Sequence, residues 1–299
     1  MFRIYSLLAL LLLPAVASAR LDVVATLPTY GAIAKEIGGD KVQVTSLARG
    51  TEDPHFVDAK PSFIRLLNRA DVLIEGGAGL ESSWLPPLVR NARNRKIITG
   101  GEGRIVLRRG IRMLEVPRGP ISRTQGDVHA FGNPHFELDP ENGRLIARNI
   151  ARTFAEMDSR NRANYEANLK TFEAKLDKKI TAWKTLAAPL KGVSVLSYHK
   201  TYEYLAARFG LLVAGYIEPK PGIQPSPSHV SRLVPQMKQA GVKMVIIEPN
   251  RSTRTPSYLA RHLDAKLVIL PAMVGGVEGA DDYFRLIEFS LNAMVKALN

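Results

Sequence analysis

Short apolar, β-branched runs alternate with amphipathic stretches over the first hundred residues of the chain. LDVVAT from Leu21, VQVTSLA from Val42, DVLIEGG from Asp71 and KIIT from Lys96 read as strands, with helices at Tyr30–Ile37 and Pro61–Arg69 between them. Strands that alternate with helices predict βα units and a mostly parallel sheet. The rhythm stops at Gly101. From there to Pro140 the chain is rich in Gly and Pro and carries Arg104, Arg108, Arg109, Arg112 and Arg118, which predicts a long surface loop at about 101–133 leading into HAFGNPHFELDP.

Between Pro140 and Pro189 there is no proline and a single glycine, Gly143, while Ile146, Ile150, Phe154, Met157, Tyr165, Leu169, Phe172, Leu176, Ile180 and Trp183 recur at three- or four-residue steps. This periodicity predicts one long helix over 141–189, with a hairpin broken near Ser159-Arg160-Asn161 as the alternative. Roughly 45 residues at about 1.5 Å each span some 65 Å, long enough to serve as a backbone along two lobes. The α/β rhythm then resumes with strands VSVLS, LLVAGY, KMVIIE and KLVIL and helices at Lys200–Phe209, Ser228–Ala240, Pro256–Leu263 and Asp282–Leu298. The expected architecture is α/β: an N-terminal lobe over 20–140 and a C-terminal lobe over 190–299, each a mostly parallel sheet flanked by helices, joined by one long backbone helix.

The first 19 residues break the pattern differently. Arg3, an apolar run over Leu7–Ala17 and Ala17-Ser18-Ala19 before Arg20 form a cleavable signal peptide. The run is about 11 residues, where a membrane span needs roughly 20. An exported, periplasmic protein is therefore expected. The chain has no cysteine, which removes thiolate metal sites, disulfides and a lipid-bearing N-terminal Cys, so the expectation is a protein that is not lipid-anchored. A composition of 45% hydrophobic and 23% charged residues excludes disorder as the main description, and the formal charge of +13 calls for a partner or a solubility role.

In parallel sheets, ligands bind beyond the carboxyl ends of the strands. His55 lies a few residues after VQVTSLA, His199 directly after VSVLS, His135 just before the long helix, and Glu248 ends KMVIIE. Neutral imidazole suits Zn²⁺, and a carboxylate can complete a tetrahedral site without a thiolate. The spacing alone does not define a metal site, because these residues are far apart in the chain.

The stretches EDPHFVDAKPS, GNPHFELDP and SYHKTYEYLAARFGL, in that order around a long central helix, resemble the solute-binding proteins of zinc and manganese ABC importers, the ZnuA/TroA type. The resemblance covers nearly all of the chain from Arg20. It implies two α/β lobes on a helical backbone, with Zn²⁺ as bound cargo between the lobes (Mn²⁺ or Fe²⁺ being the alternative cargo), delivery to the membrane permease of an ABC importer, and no enzymatic activity. His55, His135 and His199 match the principal metal ligands of that family, and histidine rather than glutamate at the third position favours zinc.

The sequence departs from the family where a fourth ligand, commonly an aspartate, would follow KLVIL; here the turn reads Leu270-Pro271-Ala272. Glu248 is the substitute expected from the neighbouring strand. The 101–133 loop is arginine-rich rather than His-rich, with His129 alone as a candidate accessory ligand, and His229 and His262 take capping or surface roles. A monomer is expected, with the basic surface docking on an anionic permease or membrane face. Three histidine ligands imply affinity that falls as pH drops through about 6.5, with up to three protons competing. The long helix should restrict hinge closure, leaving local ordering of the 101–133 loop as the response to binding. Two rival classes are weaker. An exported zinc hydrolase lacks HExxH and G-x-S-x-G, and a basic nucleic-acid or polyanion binder lacks aromatics among its arginines and any recognition motif, so no nucleic-acid partner is expected.

Overall fold

The computed structural model of the protein describes residues 20–120, 126 and 128–299, and residues 1–19, expected to be a signal peptide, lie outside the described residues. The first half contains β1 (Leu21–Ala25), α1 (Pro28–Gly38), β2 (Val42–Ser46), α2 (Pro61–Arg69), β3 (Val72–Glu75), α3 (Leu85–Ala92) and β4 (Arg104–Val106). The middle is α4 (Pro140–Met157) and α5 (Arg162–Leu186). The second half runs through β5 (Ser194–Ser197), α6 (Glu203–Phe209), β6 (Leu212–Tyr216), α7 (Pro227–Gln239), β7 (Met244–Ile247), α8 (Arg254–Leu263), β8 (Lys266–Ile269) and α9 (Tyr283–Leu298).

Both sheets are parallel throughout and share one strand order, β2-β1-β3-β4 and β6-β5-β7-β8. In each, the chain leaves the first strand to one side and returns to the other. That reversal opens a crevice at the carboxyl ends of β1 and β5. The central strands β3 and β7 are buried along their whole length, which is why they read as unbroken apolar runs.

The expected KIIT strand is not one. Residues 96–99 form turns, with Ile97 buried and Ile98 exposed, and the edge strand is Arg104–Val106, inside the segment read as loop. What makes RIV a strand is tertiary: Arg104 pairs with Glu75 of β3 through two guanidinium bonds of 3.0 and 2.9 Å. A sequence pattern carries no trace of that pairing.

The single helix expected over 141–189 is two. Asp158 leaves helical geometry, and its carboxylate accepts from Asn161 at 2.6 Å and from the Tyr165 hydroxyl at 2.9 Å, turning the chain without proline or glycine. α5 then folds back along α4, with Arg144–Asp177 and Arg148–Glu173 paired at 2.6 Å each. The apolar period continues across the turn because both helices face the same core, where Phe154 and Tyr165 meet edge to face. α5, 25 residues long, is the helix that joins the halves, packing on α1 of the first and α9 of the second. One apolar core runs from Val23 and Leu73 through Phe154 and Trp183 to Ile287 and Met294, and a smaller one lies on the outer side of the second sheet. Among the described residues no helix is long and apolar enough to cross a membrane.

Candidate metal centre

Three loops bring three imidazoles to the crevice between the sheets. After β2, the Asp53 carboxylate accepts from the backbone N–H of His55 at 3.0 Å and meets its Nδ1 at 2.9 Å. The turn is fixed from the first half by Trp84, whose indole N–H donates to the Pro54 carbonyl, and by Ser83, which donates to the His55 carbonyl. Before α4, Asn133 accepts from the His135 N–H at 3.0 Å while donating to the Lys200 carbonyl at 2.7 Å, so the His135 loop is tied to the segment after β5. Asp139, which caps α4, also holds Arg208 of α6 through two bonds of 2.7 Å, reinforcing that tie. After β5, His199 Nδ1 meets Glu218 at 2.7 Å.

The ligand atoms of His55, His135 and His199 all lie within 4.8 Å of one another, and all three residues are buried. They line a cavity of about 20 Å³, room for one ion or one water. The Nε2 atoms of His55 and His135 are buried and have no hydrogen-bond partner. With Nδ1 of His55 and of His199 held by carboxylates, Nε2 is the free nitrogen on each, the arrangement by which outer carboxylates orient metal-binding imidazoles. Such a donor set fits a divalent transition metal.

Glu248 lines the same cavity but stands outside the group of three. Its Oε1 accepts from Thr201 at 2.5 Å, and its Oε2 lies 3.6 Å from the Arg251 guanidinium. Arg251 also reaches Asp53 at 3.1 Å and Glu218 at 3.7 Å. Ala272, after β8, contributes only a methyl group to the wall. His129 stacks on His55 with ring centroids 5.4 Å apart, while His229 sits in the first turn of α7 and His262 bonds within α8, away from the centre.

The electrostatics divide the histidines. Burial, reinforced by His55, His199, His129 and Arg251, pushes His135 well below its ordinary pKa, so it is neutral. Burial likewise lowers His129 to about 4. For His199 burial also opposes the charge, but the bond to Glu218 and the charges of Glu248 and Glu218 outweigh it, and its pKa rises. Burial works against ionised Asp53, yet the hydrogen bond and charge of His55, with Arg251, hold it at about 2.

Asp53, Thr201, Glu218 and Arg251 escape a reading of the sequence. Asp53 alone left a local trace, two residues before His55, where Asp commonly bonds the backbone ahead. The others meet the histidines only through the fold.

A buried cluster of imidazoles between two similar parallel-sheet lobes defines a two-lobed metal-binding protein. The sequence pattern of the family described as zinc-uptake complex component A, periplasmic (ZnuA), matches residues 23–297, and the chain belongs to that family. The manganese ABC transporter substrate-binding lipoprotein PsaA of Streptococcus mitis is 25% identical over 288 residues, covering 93% of this chain and 89% of the relative. A crystal structure of ZnuA superposes with a TM-score of 0.79 at 26% identity, covering 94% of this chain and all of the other. A zinc-bound ZnuA carrying a 138–173 deletion gives 0.77 at 26% identity, with 93% and 98% covered.

These relatives correct one expectation. PsaA and other streptococcal relatives are named lipoproteins, which overturns the reading of a protein that is not lipid-anchored. That reading rested on the absence of cysteine, a fact about one side-chain chemistry in these 299 residues.

Proposed function

We propose that the protein captures Zn²⁺ between its lobes with His55, His135 and His199 and, as a monomer, delivers it to the permease of an ABC importer. The observation that carries this reading is the group of three buried imidazoles within 4.8 Å, with no carboxylate in the group. Nitrogen donors suit zinc, whereas Mn²⁺ prefers a larger share of oxygen. Glu248 contributes negative charge at the cavity wall, with Thr201 and Arg251 holding it. Capture and release need neither a nucleophile nor a general base, and the relatives are named as substrate-binding components of transporters. The alternative cargo is Mn²⁺, supported by the names of the streptococcal relatives.

Metal analysis and competitive titration with Zn²⁺ and Mn²⁺, beside His55→Ala, His135→Ala and His199→Ala, test the proposal. One tightly held zinc per chain, weakened by each substitution, is the expected result. No stoichiometric metal, or binding untouched by the three changes, refutes it. Tighter binding of Mn²⁺ than of Zn²⁺ transfers the assignment to manganese.

A further inference from the structure

His129 stacks on His55 and, unlike the other three histidines of the cluster, arrives from the arginine-rich excursion before α4. A hydrogen bond to the Gly79 backbone fixes its ring. Gly79 has φ +99°, and a Cβ built there would lie 3.0 Å from His129 Nδ1, so the imidazole packs tightly over a backbone conformation that favours glycine. The His129 Nε2 is buried without a hydrogen-bond partner, as are those of His55 and His135. The His129 side of the cluster opens into a separate cavity of about 130 Å³, and His199 lines both this cavity and the smaller one that holds Glu248. His129 and Glu248 therefore flank the three imidazoles from different sides.

Their circumstances differ. Glu248 is engaged by Thr201 and Arg251, and moving it onto an ion would cost the guanidinium one of its carboxylate neighbours. Moving His129 costs only the hydrogen bond between its ring and the Gly79 backbone, because its Nε2 has no partner to lose. Charge balance points the same way: Asp53, Glu218 and Glu248 against Arg251 leave two negative charges around the histidines, the complement of a divalent ion bound by neutral ligands alone.

Resting on the reading of a zinc site at His55, His135 and His199, we propose that His129 is the fourth ligand, swinging inward from its stack on His55 to close the centre as a four-imidazole site. Glu248 then stays in the outer sphere.

The test uses the full chain loaded with Zn²⁺ for X-ray absorption at the metal edge and with Co²⁺ for visible absorption, in the wild type, His129→Ala and Glu248→Gln, with circular dichroism to confirm folding. Four imidazoles per zinc in the wild type and in Glu248→Gln are expected, falling to three plus one non-imidazole oxygen ligand in His129→Ala, where zinc affinity drops about 10–100-fold. A wild-type count of three imidazoles with one oxygen, and a His129→Ala spectrum identical to the wild type, overturns the proposal while leaving the three-histidine site standing. Loss of the oxygen ligand in Glu248→Gln would assign the position to Glu248 instead. Absence of any zinc signal in the wild type overturns both readings together.

Discussion

Asp53 and Arg251 pair at 3.1 Å across the crevice, one from the first lobe and one from the second. Asp53 orients His55, and Arg251 also reaches Glu218, which orients His199. One guanidinium thus links the outer partners of two imidazoles that come from different sheets. Outer partners of metal ligands commonly control affinity by one to two orders of magnitude. Asp53→Ala is expected to weaken zinc binding about 10–100-fold, and Arg251→Met about 10-fold. Competitive titration checks both, and unchanged affinity in Asp53→Ala would remove the outer carboxylate from the account of the site.

The proton count follows from the separate fates of the histidines. His199, with its raised pKa, keeps its proton to higher pH than an ordinary imidazole, and an incoming ion must displace it, so affinity rises as pH climbs through that pKa. His135 is neutral well into the acid range and releases no proton. With His135 contributing no proton, the slope of log affinity against pH through that titration is expected to stay below three. The three competing protons suggested by counting histidines in the sequence would give three, and a measured slope of three contradicts this description.

Glu137 is fully buried beneath the His135 loop, with neither carboxyl oxygen hydrogen-bonded, and burial pushes its pKa up to about 8. A carboxyl with a raised folded pKa favours folding while protonated. Its contribution is full below the unfolded value near 4.5 and is lost as pH rises toward 8. Glu137→Gln should therefore stabilise the metal-free protein more at pH 8 than at pH 5, by about 2–4 kcal/mol. Denaturant unfolding at the two pH values measures this, and an equal effect at both would show that Glu137 is not held neutral.

Gly143, the lone glycine of the helical stretch, lies against Tyr283. A Cβ there would stand 2.1 Å from the tyrosine hydroxyl, which donates to the Glu137 carbonyl at 3.0 Å. Gly143→Ala should raise helix propensity yet destabilise the fold by about 1–3 kcal/mol, because the ring must give way. A higher thermal midpoint in that variant would show that the ring relocates at no cost.

The alternation of strands and helices was legible because parallel strands and amphipathic helices each leave their own period, whereas His55, His135 and His199, though at strand ends or before a helix, were singled out as ligands by the family resemblance of the stretches that carry them. Three features were legible only in part or not at all. The KIIT run is as apolar as a strand, but Arg104 reaches Glu75 and takes the edge position for RIV. The bend at Asp158 was read only as the alternative of a break near Ser159-Arg160-Asn161, because a side chain bonding ahead to Asn161 and Tyr165 makes it and no glycine or proline announces it. The network around Arg251 joins residues separated by up to about two hundred positions, and nothing local in the sequence records such a meeting.

The larger core, which passes through α5 and into both lobes, bears on how the molecule comes apart. Neither lobe can melt and leave the other with a closed apolar interior. Unfolding is then one cooperative transition, and a bound ion raises the melting temperature of the entire chain by mass action. Calorimetry should record a single peak that moves as a unit with zinc concentration. A molecule built this way holds its cargo with the stability of the whole fold.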